Sequence, residues 1–222
     1  PFWNRWRHES AALMPAIAAL QGWDAICQFA ETPIQFDYGA STVPRLQAIY
    51  PYGVGGDPIA RAGERLAAML FKRGDVSPAR GRIRLHLNAD RLLARSGGWE
   101  QVPEGLSRLG LVTAIGLDFG PMPTKSATGE LDVDRTGARP AWLARVESTL
   151  VKSGADALLA NTTNPLREAG IIGTANLYQP QNQIYQSDTG QLIVDSANGL
   201  IKVDSERSVV LVLPGGTALA GP

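Results

Sequence analysis

Two kinds of apolar pattern divide the chain. Its first third carries blocks that are apolar nearly all round, and its last third carries short runs separated by turn residues. Between residues 9 and 22, Ala11, Ala12, Leu13, Met14, Ala16, Ile17, Ala18, Ala19 and Leu20 predict a buried helix ended by Gly22. Pro15 lacks a backbone donor and is expected to kink or restart that helix. Residues 23–30, from Trp23 to Ala30, then suit a strand buried on both faces, and a helix feeding such a strand is the unit of a parallel α/β sheet or barrel. Residues 31–57 have turn chemistry throughout, with Pro33, Gly39, Pro44, Pro51, Gly53, Gly55 and Gly56, and predict a long loop. Asp57-Pro58 supplies an N-cap and a first-turn proline. Ile59, Ala62, Leu66, Met69, Leu70 and Phe71 then recur at helical spacing as far as Gly74.

Beyond Pro78 the period changes. Arg82-Ile83-Arg84-Leu85-His86-Leu87 alternates, predicting a strand with one face in water and His86 on that wet face. Residues 111–119 predict a second strand. Residues 140–152 place Trp142, Leu143, Val146 and Leu150 on one face of a short helix. Residues 183–187, 191–195, 200–204 and 208–213 are four short strands separated by turns, an antiparallel meander.

Charge and composition narrow the function. The 21 Lys and Arg cancel the 21 Asp and Glu, leaving no net field to draw nucleic acid or an anionic membrane, and neither is expected as a partner. With 24 glycines and 15 prolines, turns dominate and a helical bundle is disfavoured. The single cysteine, Cys27, excludes an internal disulfide framework. His8 and His86 lie too far apart in sequence to supply a local metal-ligand motif, so no metal is expected. No run of about 18 apolar residues is present to span a bilayer. The chain opens on Pro1-Phe2-Trp3 and ends just after an apolar strand-like run, so it is expected to be a piece of a longer polypeptide.

Several motifs take a plain structural account. Gly53-Val54-Gly55-Gly56-Asp57 lacks the Lys-Ser/Thr pair of a phosphate loop and is expected to be a flexible loop and N-cap. Gly215-Gly216-Thr217 lacks a nucleophile elbow. Asp132-Val133-Asp134 offers oxygens to calcium without the later ligands of an EF-hand, and is expected as a solvated loop. Asn161-Thr162-Thr163 fits a glycosylation acceptor and is otherwise a turn. The segment from Phe2 to Glu9 is richer. It gathers Phe2, Trp3 and Trp6 with Asn4, Arg5, Arg7, His8 and Glu9 ahead of a buried helix. On a barrel such a loop lies on the catalytic face, where aromatic rings stack on sugars and Asn, Arg and Glu bond hydroxyls. The alternative is that Trp3 and Trp6 are core aromatics and that Arg7 and Glu9 form a surface pair. The strand over residues 25–30 would present Gln28, Phe29 and Glu31 to the same face.

Residues 1–78 resemble the closing part of the (β/α)8 barrel of clan-A-type retaining glycoside hydrolases related to β-galactosidases. The likeness is carried by the aromatic and Asn/Arg loop, by Ala18-Ala19-Leu20-Gln21-Gly22-Trp23-Asp24, and by the helix from Asp57-Pro58 to Leu70-Phe71-Lys72-Arg73-Gly74-Asp75-Val76. Ser187-Asp188-Thr189-Gly190-Gln191-Leu192 with Val203-Asp204 resembles the terminal meander of such enzymes, although Ser205-Glu206-Arg207 stands where Thr-Pro-Arg is usual. The resemblance implies an α+β chain: closing βα units of a barrel over residues 1–78, then an antiparallel β-sandwich-like accessory domain over residues 79–222. It implies part of a hydrolase of poly- or oligosaccharides that needs no metal or organic cofactor, with both catalytic carboxylates upstream of Pro1 and this chain inactive alone. Trp3, Asn4, Arg5, Gln28 and Glu31 would be subsite residues, and Phe29 a sugar platform. The partners would be a carbohydrate and the preceding part of the same barrel, in a secreted or periplasmic protein. The competing expectation is a non-catalytic β-sandwich module for carbohydrate binding or assembly.

Overall fold

A computed structural model describes residues 6–27, 57–87, 104–134 and 162–221. The first helix, α1 (Ser10–Leu20), buries Ala12, Pro15, Ala16, Ala18, Ala19 and Leu20. It passes through Pro15 without restarting, because the apolar surface buried along it outweighs the roughly 3 kcal/mol cost of a mid-helix proline. Helix α2 (Pro58–Ala67) begins where the Asp57 carboxylate accepts from the Ile59 amide at 3.1 Å, with Pro58 at its first position. A wider turn over Ala68–Lys72 prolongs α2, and the chain leaves through Gly74 at φ +75°.

The two helices run side by side in the same direction. Arg7 meets Asp57 at their starts, Ala11 faces Gly63, and the Leu20 carbonyl accepts from the Ala79 amide beyond their ends. The approach is close because both contact residues are small. A Cβ on Gly63 would stand 2.6 Å from that of Ala11.

Strand β1 (Arg82–His86) is the centre of a three-stranded parallel sheet of order β2-β1-β3. Helix α3 (Glu104–Arg108) leads through a tight turn over Leu109–Leu111 into β2 (Ala114–Asp118), and β3 (Glu130–Asp134) follows. On one face Ile83, Leu85 and Val133 pack with Leu106, Leu109, Val112, Leu166, Ile171, Ile172, Tyr178 and Tyr185. The opposite face carries Arg84 and His86 beside Asp132, and the connection from β2 to β3 lies across it. The Ser126 hydroxyl accepts from the Asp132 amide, and the Gly120 carbonyl stands 3.3 Å from His86 Nδ1. The alternation in β1 therefore does not mark a wet face. Parallel strands are covered on both sides, and here the polar positions face partner charges instead of water. His86 is 2% exposed, and Asp132 sits buried in a strand, not in a solvated loop.

After α4 (Thr163–Glu168) come β4 (Tyr178–Gln179), β5 (Ile184–Gln186), β6 (Leu192–Asp195), β7 (Leu200–Asp204), β8 (Val209–Leu213) and β9 (Gly216–Ala220), each antiparallel to the next. The four expected strands are present as β5 to β8, and a strand is added at each edge. Leu192, Val194, Ile201, Val203, Val210 and Val212 face α1 and α2, forming a second core with Ala12, Ala16, Leu20, Leu66 and Leu70. Gln21 ties the two cores: its amide donates to the carbonyls of Gly110 and Thr113 and accepts from the Ile115 amide. Asp188 does the same, taking the Gly81 amide and the Thr113 hydroxyl.

The chain is thus mixed helix and sheet, of α+β type, with a six-stranded antiparallel sheet. Its other sheet is parallel, unlike the second layer of a β-sandwich, and no barrel is formed among the described residues. The strand expected over residues 23–30 is absent where described. Residues 23–27 are irregular and exposed, because no described strand lies alongside to bond their backbone. The helix expected over residues 140–152 lies outside the described residues.

Candidate functional site

All six sequence-predicted contact residues, Trp3, Asn4, Arg5, Gln28, Phe29 and Glu31, lie outside the described residues. What the structure places is their anchorage. Residues 1–5 join the fold at Trp6, and the segment from residue 28 to 56 rejoins it at Asp57. These two points are linked directly, because Arg7 Nε donates to Asp57 Oδ2 at 2.6 Å. Asp57 is 1% exposed, so one carboxylate both caps α2 and fixes the turn ahead of α1. A surface pair of Arg7 with Glu9 is the alternative reading of the sequence; the structure pairs Arg7 with Asp57, 50 residues away. The Asp-Pro signature revealed the cap, but nothing local in the sequence shows the second oxygen turned to Arg7.

The head of the helix pair is also held by the meander. His8 Nε2 lies 3.2 Å from the Leu213 carbonyl, and the Thr217 hydroxyl donates to the His8 carbonyl at 3.4 Å. The half-buried Trp6 ring stands 6.2 Å from that of His8. The head therefore brings together an aromatic ring, a guanidinium held on Asp57 and a helix start capped by the same carboxylate.

A second polar cluster lies within the parallel sheet. His86 Nε2 stands 2.6 Å from Asp132 Oδ1, and Arg84 bonds Asp132 and pairs with Glu130 at 2.7 Å. Burial pushes the Asp132 carboxyl up, but bonds from His86, Ser126 and Arg84 outweigh it and hold the group below the usual carboxylate range. Both imidazole nitrogens face oxygen atoms within the fold. This cluster braces the sheet. Among the described residues no group of three His, Cys, Asp or Glu side chains is arranged to hold a metal ion, and no helix is long and apolar enough to cross a membrane.

No family model, curated protein or solved structure matches this chain.

Proposed function

We propose that this chain is the closing part of a (β/α)8-barrel retaining glycoside hydrolase together with its accessory region, and that the head of α1 and α2 bears on a poly- or oligosaccharide substrate. The observation that carries this reading is the parallel helix pair. Two neighbouring helices can point the same way only if the chain between them runs back. The 11 residues of α1 span about 16 Å, a distance that five or six extended residues recover. The return begins with Trp23, Ala25, Ile26 and Cys27, an apolar run suited to a strand, of which Trp23 is 48% exposed and Ile26 36%. Among the described residues no strand lies beside this run, which is what a barrel unit shows when its flanking strands lie elsewhere. Helix starts in a barrel lie on the catalytic face, and Arg7 and Asp57, bonded to each other at the two helix starts, follow in sequence the segments that contain Trp3, Asn4, Arg5, Gln28, Phe29 and Glu31. The catalytic carboxylates lie upstream of Pro1. The 222-residue chain is expected to show no turnover of aryl β-glycosides. Turnover abolished by Glu31→Gln would place a catalytic carboxylate inside this chain and overturn that assignment.

A further inference from the structure

We infer that the outer edge of β9 pairs with β9 of a second copy of this chain, antiparallel across a two-fold axis at Ala218, so that two meanders join into one continuous sheet. The pairing is independent of the saccharide reading. The two edges of the meander differ. β4 has only two residues, Tyr178 and Gln179, and Pro180 follows at once, which blunts that edge. β9 runs over Gly216–Ala220 with no charge, no proline and, because its register with β8 steps residue for residue, no bulge. Among the described residues no strand pairs with its far side, and Thr217, Ala218, Leu219 and Ala220 are all exposed. The edge is also apolar: Val209 and Leu213 beside it on one face are 38% and 42% exposed, and Leu219 on the other is 46% exposed.

The hydrogen-bond phase of the hairpins shows which backbone groups face outward. The Ser205 amide donates to the Ser208 carbonyl at 2.9 Å, so Ser208, Val210 and Val212 turn their backbone groups to β7, while Val209, Leu211 and Leu213 turn theirs to Ala220, Ala218 and Gly216. Thr217 and Leu219 therefore point N–H and C=O away from β8. When two β9 strands are centred on Ala218, Thr217 of each copy stands opposite Leu219 of the other, and both pairs fall at positions where bonds are exchanged. Ala218 meets its own copy at the close, unbonded position, where a small side chain fits. Gly221 ends the edge, since a Cβ on it would collide with the Arg207 carbonyl. With one such edge per chain the association closes at two copies.

The test is sedimentation velocity of the 222-residue protein over a concentration series, beside Leu219→Pro. The proline removes an outward N–H and takes no bond from β8. The expected result is a monomer–dimer equilibrium in the parent that Leu219→Pro weakens about tenfold or more. A parent that stays monomeric at every concentration overturns the pairing, as does a dimer that Leu219→Pro leaves intact. Equal thermal midpoints establish that the variant folds, and oxidative cross-linking in a Cys27→Ser background tests the pairing without it. Ala218→Cys should give a covalent dimer and Ala220→Cys should not, because only the residue at the axis lies within disulfide reach of its own copy. Cross-linking at both positions alike, or at neither, overturns the two-fold at Ala218.

Discussion

Gly63 marks the closest approach of α1 and α2, and it is the residue whose side chain matters most by being absent. Gly63→Ala would drive a methyl to 2.6 Å from Ala11 Cβ, forcing the helices apart. An overpacked contact of this kind costs about 1–3 kcal/mol, seen as a lowered thermal midpoint, and Ala11→Gly in the same chain should recover much of it. An unchanged midpoint in Gly63→Ala would mean that the helices are not in contact there. Asp75 is the complementary case of a buried charge. Its carboxylate takes two bonds from Arg73 at 2.8 and 2.6 Å and one from the Ser208 hydroxyl. Arg73 chiefly, against the opposing effect of burial and with help from Ser208, holds the Asp75 carboxyl below the usual carboxylate range. The folded group binds its proton less readily than the unfolded one. Its stabilisation is therefore complete above the ordinary carboxylate range and is lost as pH falls through the lowered folded value. Asp75→Asn should cost about 2 kcal/mol at neutral pH and flatten the acid limb of a stability profile measured by urea unfolding.

At the scale of elements, Asp57 separates two roles that one residue performs. Asp57→Asn keeps an oxygen for the Ile59 amide but loses the charge facing Arg7, whereas Asp57→Ala loses both. The alanine variant is expected to cost about 1–2 kcal/mol and the asparagine variant less, measured by urea unfolding. If the two cost the same, the ion pair contributes most of the effect and the cap little. Local chemistry made this helix and the meander visible in the sequence: Asp-Pro sets a helix start, and turn residues spaced every eight to ten positions delimit hairpins. Gly216–Ala220 escaped because an edge strand needs little apolar burial, and small residues between glycines carry no alternation to detect. His86 misled for the opposite reason. Its place on a polar stripe was legible, but the carboxylate waiting 46 residues away in β3 was not, and a polar stripe facing charges looks the same as one facing water. Of the candidate site, composition indicated the aromatic and basic loop, while the Arg7–Asp57 clamp that fixes its base is a long-range pairing no local pattern encodes.

For the molecule as a whole, the helices on the meander and the parallel sheet with its own apolar face form two cores joined by Gln21 and Asp188. Gln21 alone satisfies two carbonyls and one amide of the β2 approach. Gln21→Ala leaves all three without that partner and should cost about 2–3 kcal/mol, broadening or splitting a single thermal transition. A sharp, unshifted transition would show that the cores are coupled by other contacts. Among the described residues the exposed apolar run at Trp23 and Ile26 lies against no strand. The central claim is that this chain completes a retaining hydrolase whose nucleophile lies upstream. The protein isolated from its natural source, treated with a 2-fluoroglycoside that traps the glycosyl-enzyme and then mapped by peptide mass, tests this directly. The account predicts a polypeptide longer than 222 residues, labelled on a carboxylate N-terminal to Pro1. A polypeptide of 222 residues, or a longer one that takes no label, would contradict it.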